Sequence, residues 1–243
     1  MSDEAPLIAL RQVSYAPGGA NVLSDIDFAA SERRIGIVGR NGSGKTTLAR
    51  VMAGLVAPDS GTVRIAGADV VADRKAALAL VGILFQNPDH QIIFPTVAEE
   101  LRFGLLQMRL PEEEVDARVA DVLARFDRSH WAEATVHTMS QGQRQLVCLM
   151  AVLAMAPQVI ILDEPFSGLD IPTALQLERR LAAIDCTVIQ ITHDPRMVAD
   201  HDRVLWIENG RIEEDGPPAS VLPVFEARMH EQGARDDRTD LAG

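Results

Sequence analysis

The apolar residues of this chain fall into short runs whose period changes along its length. In the N-terminal part they alternate with polar positions, the mark of strands with one covered face. This predicts strands over 7–13 and 22–29, separated by the turn-rich Ala16-Pro17-Gly18-Gly19. Short strands over 61–65 and 69–71 follow the turn Pro58-Asp59-Ser60-Gly61. Residues 33–38, 81–85, 159–162, 187–192 and 204–208 are mostly apolar instead, as in parallel strands buried on both faces. Helical spacing appears over 45–54, 96–109, 112–126, 140–156 and 172–184, with a shorter helix at 195–200. Gly54 closes the first helix. Glu112-Glu113-Glu114 after Pro111 suits a helix N-terminus, where acids complement the dipole. The order predicts an α/β fold: a mostly parallel sheet with helices, carrying a small antiparallel sheet built from the early hairpins. A helix-like stretch at 221–228 follows. The charged segment 231–243 is expected to be a polar, disordered tail.

Composition narrows the class. The chain has 243 residues and a formal net charge of -12, so broad electrostatic attraction to nucleic acid or anionic lipid is not expected. Cys148 and Cys186 lie in apolar runs without metal-ligand spacing, which predicts buried thiols in a reducing compartment. The first thirty or so residues carry acids and prolines and no apolar signal core, so export is not expected. No stretch approaches the roughly 20 apolar residues of a membrane span. Any membrane role is expected from the cytoplasmic face, through a partner.

The most specific local text is Gly39-Arg40-Asn41-Gly42-Ser43-Gly44-Lys45-Thr46-Thr47, the pattern GxxxxGK[ST] between a predicted strand and a predicted helix. A triphosphate is held where backbone N–H groups converge and a helix N-terminus adds its dipole. Gly39, Gly42 and Gly44 permit that turn, with Asn41 and Ser43 completing the loop. Lys45 is expected to reach the β- and γ-phosphates and Thr46 to coordinate Mg²⁺. Thr47 is the neighbour placed near the α-phosphate. ATP and Mg²⁺ are thus the expected ligands.

Other residues point the same way. Val159-Ile160-Ile161-Leu162 ends in Asp163 and Glu164, and α/β sheets place their sites at the C-terminal ends of strands. Asp163 is expected to hold Mg²⁺ through water, and Glu164 to orient or polarise the attacking water. His193 ends the strand 187–192 and is a candidate contact to the γ-phosphate or to Glu164. Gln86, after another strand, is a candidate for Mg²⁺ or water coordination; a plain surface glutamine is the alternative. Tyr15, the only tyrosine, is a candidate for stacking on adenine, or for ordinary turn packing.

In this order the pieces resemble the nucleotide-binding domains of the ATP-binding cassette family, over about residues 7–217. Met139-Ser140-Gln141-Gly142-Gln143 is similar to the family signature, Gln86 to the Q-loop, Asp163-Glu164 to the Walker B pair, Ser167-Gly168-Leu169-Asp170 to the D-loop and His193 to the switch histidine. The resemblance implies one domain over 1–230, a P-loop NTPase core with a helical signature subdomain at about 87–156. It implies a head-to-tail dimer, with each ATP held between one phosphate loop and Ser140, Gly142, Gln143 and Asp170 of a second chain. Two departures stand out: Met139 replaces leucine, and Gln141 replaces a glycine, where its side chain must point aside or add a contact.

Phe85-Gln86-Asn87-Pro88-Asp89-His90-Gln91-Ile92 resembles the Q-loop region of energy-coupling-factor ATPases, which drive uptake of vitamins and transition metals. That implies a transmembrane coupling protein received near residues 87–94, with Asp89, His90 and Gln91 lining a groove floored by Ile92, Ile93 and Phe94. It also implies a separate membrane subunit that binds the substrate. The compact length and Leu162-Asp163-Glu164-Pro165-Phe166-Ser167-Gly168-Leu169-Asp170 are similar to the dedicated ATPases of biotin transporters. Cobalt or nickel importers, and soluble cassette ATPases outside transport, are the alternatives.

Overall fold

A computed structural model describes the backbone of residues 5–239 and the side chains of residues 5–232. Strands β1 (Ile8–Tyr15), β2 (Leu23–Ala30), β4 (Ser60–Ile65) and β5 (Ala68–Asp69) form an antiparallel sheet in the order β2-β1-β4-β5. The second sheet has six strands, β10-β9-β3-β8-β7-β6, made of β3 (Arg34–Val38), β6 (Val81–Leu84), β7 (Val159–Asp163), β8 (Thr187–Thr192), β9 (Arg203–Glu208) and β10 (Arg211–Gly216). All its pairings are parallel except β9 with β10. The α/β class with a small antiparallel sheet is therefore as the apolar pattern predicts.

The two-residue period of a strand divides the core. Ile35, Ile37, Val159, Ile161, Ile189, Ile191, Leu205 and Ile207 enter one apolar cluster, shared with α1 (Lys45–Met52) and the antiparallel sheet. Ile160, Leu162 and Val188 face the other way, into a cluster with helices α3 (Val97–Gln107), α4 (Glu112–Arg125), α5 (Gln141–Ala154) and α6 (Ile171–Ala182). Every residue of β7 is buried, which is why residues 159–162 read as unbroken hydrophobe before the acid Asp163. Gly82 lies against Val152 of α5 and Gly36 against Val198, close approaches that a side chain would obstruct.

Helix starts follow local chemistry. Thr96 caps α3 by accepting from the Glu99 N–H while its own N–H donates to the Glu99 carboxylate, and Ser140 and Gln143 make the same reciprocal pair at α5. Asp170 caps α6, accepting from the Thr173 N–H at 2.9 Å.

Several expectations need correcting. Helix α2 (Arg74–Leu80), capped by Asp73, and edge strand β10 were not foreseen. The final helix α7 (Pro218–Thr239) extends well beyond the predicted 221–228. Its backbone is helical from Glu231 to Thr239, where a disordered tail was expected; residues 240–243 lie outside the described residues. Phe225 of α7 meets Trp206 of β9 edge-on, ring centres 5.6 Å apart, and so docks the helix. Cys148 is buried, but Cys186 is only partly so. Among the described residues, no helix is long and apolar enough to cross a membrane.

Candidate nucleotide site

Parallel register brings the distant motifs together. Val38 pairs with Thr192, and Asp163 with Ile191, so β3, β7 and β8 end at one edge of the sheet, with β6 beside β7. The loop after β3 carries Gly39–Lys45, β6 leads to Gln86, β7 ends at Asp163 and Glu164, and β8 leads to His193. A cleft of about 370 Å³ lies there, lined by Val22, Asn41, Gly42, Gly44, Lys45, Thr46, Thr47, Gln86, Asp163, Glu164 and His193.

The loop is built as a cradle. Gly39 has a φ of 156°, and a Cβ on it would collide with the carbonyl of Ile207. Lys45 is almost fully buried; its Nζ donates to the carbonyls of Gly39 at 2.7 Å and Arg40 at 2.8 Å. Burial lowers its pKa, while Glu164, Asp163 and Glu208 oppose that shift. The buried Ser43 hydroxyl has no protein partner, an acceptor and donor left over within the loop.

Opposite the cradle, the Thr46 hydroxyl donates to Asp163 Oδ1 at 3.2 Å. Burial raises the Asp163 pKa, and the Thr46 hydrogen bond lowers it in part. Few protein oxygens on one side of a phosphate cradle suit Mg²⁺, which keeps several waters and takes its other ligands from phosphate. Thr46, Asp163 and Gln86 fit that ion. Glu164 sits in a left-handed conformation, φ 51°, with its N–H bonded to Ile191 O at 3.0 Å. That turn aims its carboxylate at His193, whose Nδ1 is 2.8 Å from Oε1.

Other predicted site residues lie elsewhere. Tyr15 packs partly buried against the first apolar cluster and does not line the cleft. Its carbonyl instead accepts from the N–H of Val22, a lining residue that the sequence did not suggest. Ser140, Gly142 and Gln143 line a separate depression with Arg128, Trp131 and Thr173. Asp170 is exposed at the start of α6, its pKa lowered by the Thr173 bond. In this single chain the signature and the phosphate loop therefore do not share a cleft.

The segment 87–94 differs in detail from expectation. Gln91 points inward: its Oε1 accepts from Phe85 N–H at 3.1 Å and its Nε2 donates to Ile83 O at 3.3 Å. Asp89 is paired with Arg144 at 3.0 Å. Buried Glu100 accepts from the N–H groups of Ile93 and Phe94, both at 2.9 Å, and so holds the loop. Ile93 is 66% exposed and is the apolar side chain this loop presents outward.

Known proteins resemble this chain over most of its length. Residues 23–167 match the family model described as ABC transporter. The chain is 53% identical over 222 residues to the biotin transport ATP-binding protein BioM of Rhodobacter capsulatus, covering 91% of this chain and 95% of that protein. It is 42% identical over 205 residues to the protein of the same name from Rhizobium etli, covering 84% and 91%. Among solved structures, cbiO1 of Clostridium perfringens, described as part of the ABC transporter complex cbiONQ, aligns with a TM-score of 0.78 at 30% identity, over 97% of this chain and 98% of that one. The family model covers more than half of the sequence, and the matched stretch includes the phosphate loop and the paired acids: this chain belongs to the ABC transporter family.

Proposed function

We propose that this chain is the ATP-hydrolysing subunit of an energy-coupling-factor importer, and that the substrate is biotin. The observation that carries the reading is the convergence of Lys45, Thr46, Asp163, Glu164 and His193 on one cleft. Its family membership and its likeness to two proteins named for biotin transport support the finer assignment.

Lys45 and the loop N–H groups hold the triphosphate, and Tyr15, outside the cleft lining but bonded through its carbonyl to the lining residue Val22, flanks the adenine. Thr46, Asp163 and Gln86 would hold Mg²⁺, which would neutralise phosphate charge. Glu164 polarises the attacking water, and His193 fixes the Glu164 carboxylate from the end of the neighbouring strand. The separation of Ser140, Gly142, Gln143 and Asp170 from this cleft favours a split site, completed by a second copy of the chain. Closure of that dimer then uses contacts made only with nucleotide in place. Ile93 and its neighbours receive a transmembrane partner, which places the chain peripherally on the cytoplasmic face. A distinct membrane subunit selects the substrate.

The test is isolation of the tagged chain from native membranes, followed by uptake of labelled biotin into vesicles. Recovery of membrane partners and ATP-dependent biotin uptake is the expected result. Uptake of labelled cobalt or nickel instead would reassign the substrate, and recovery without any membrane protein would overturn the transport role.

A further inference from the structure

Gln141 stands where the family signature has a glycine, and its side chain is not idle. Its Nε2 donates to the carbonyl of Ser167 at 3.3 Å. The neighbouring Gly168 makes room for it: φ there is 73°, and a Cβ would lie 2.8 Å from that same nitrogen. Ser167 has two further bonds. Its hydroxyl accepts from Gln86 Nε2 at 3.2 Å, and its own N–H donates to the carbonyl of Glu164 at 3.1 Å. Gln86 and Glu164 both line the nucleotide cleft. One serine thus joins the cleft wall, the turn that holds Glu164 and the N-terminus of α5. Gly142 lies against Thr173, so the starts of α5 and α6 are already close, and Gln141 adds a polar tie from α5 to the loop ahead of α6.

We infer that Gln141 is a positioning residue for Glu164, acting through Ser167, and that the tie links the state of the cleft to the signature helix of the same chain. This rests on the ATPase reading above. Gln141 is exposed, so its replacement leaves the core untouched. A hydrogen bond of ordinary net strength corresponds to a change of about 3- to 10-fold in rate.

The test compares the full chain in its membrane complex with Gln141→Leu, Ser167→Ala and the double variant, reading kcat and KM for ATP and the equilibrium affinity for a fluorescent ATP analogue. Gln141→Leu should lower kcat about 3- to 10-fold while KM and analogue affinity stay within about twofold. Ser167→Ala removes the Gln86 contact and keeps the Gln141 contact, and should lower kcat similarly. In a continuous relay the double variant should be about as slow as the slower single, not the product of the two. Unchanged kcat in Gln141→Leu, multiplicative losses, or parallel losses of kcat and affinity would overturn the inference. Absence of ATP hydrolysis in the unaltered complex would instead overturn the ATPase reading, so the two failures are distinct.

Discussion

Nδ1 of His193 lies 2.8 Å from Oε1 of Glu164, across the ends of two neighbouring parallel strands. The carboxylate is mostly buried, its side chain 13% exposed, and the imidazole is open at 63%. A neutral imidazole in this pair must carry its proton on Nδ1 to donate to the carboxylate. Glu164→Gln should keep ATP binding and reduce turnover by at least about 100-fold, the range of a lost general base. His193→Ala should also slow turnover, but less, since the base itself remains. Single-turnover hydrolysis with parallel ATP-binding measurements checks both.

Lys45→Ala removes the buried cation between the loop carbonyls and the cleft. ATP affinity should fall by about 100-fold or more, as expected when charge-assisted contacts to phosphate are lost. Calorimetric titration of ATP into the purified variant measures it. The melting temperature without nucleotide should fall as well, because the buried Gly39 carbonyl loses its donor.

Burial and the nearby Arg34 push the His201 pKa down to about 4, against the opposing pull of Asp202 and Asp200. The folded chain therefore binds this proton less readily than the unfolded chain, whose histidine titrates near 6.5. The sign follows: stability is full above about pH 6.5 and declines as pH falls towards 4. The loss from this group is on the order of 2–3 kcal/mol. His201→Gln, which does not titrate, should flatten that part of the stability profile, as read by urea unfolding at a series of pH values.

Arg203 ties β9 to both its surroundings. It forms two 2.6 Å bonds to the carboxylate of Asp215 in β10, reaches Glu32 Oε1 at 3.1 Å and Ala29 O at 2.9 Å, and lies 5.1 Å from the ring centre of Phe28. Lysine cannot reproduce this planar fork. Arg203→Lys should cost about 1–2 kcal/mol and lower the melting temperature by about 3–6 °C in thermal unfolding. ATP binding at the distant cleft should persist.

Much of the fold was legible because each strong signal is local. The burial of β7 on both faces is written as an unbroken hydrophobic run, and the cap of α5 as Ser140 with Gln143 three positions on. Strand β10 escaped notice because Arg211-Ile212-Glu213-Glu214-Asp215-Gly216 is largely polar and exposed; only its pairing with β9 makes it a strand. Helix α2 did carry a signal, Asp73 ahead of an alanine-rich turn, but is too short to show a convincing period. Gln91 was expected in a groove from the resemblance of its segment, and its inward turn depends on the N–H of Phe85 and the carbonyl of Ile83 near the end of β6, which no local pattern announces.

The amino-acid order alone determined which chemistry is available: a glycine-rich loop with Lys45 and Thr46, two acids after a buried strand, and a histidine after another. These depend on backbone dihedrals, helix caps and hydrophobic period, all of which act over a few residues. Tertiary structure decided where those groups meet. Strand order and parallel register bring residues 39–47, 86, 163–164 and 193 to one edge, and no local pattern specifies that order. It also decided that Ser167 receives both Gln86 and Gln141, because such a junction exists only once three separate segments have packed.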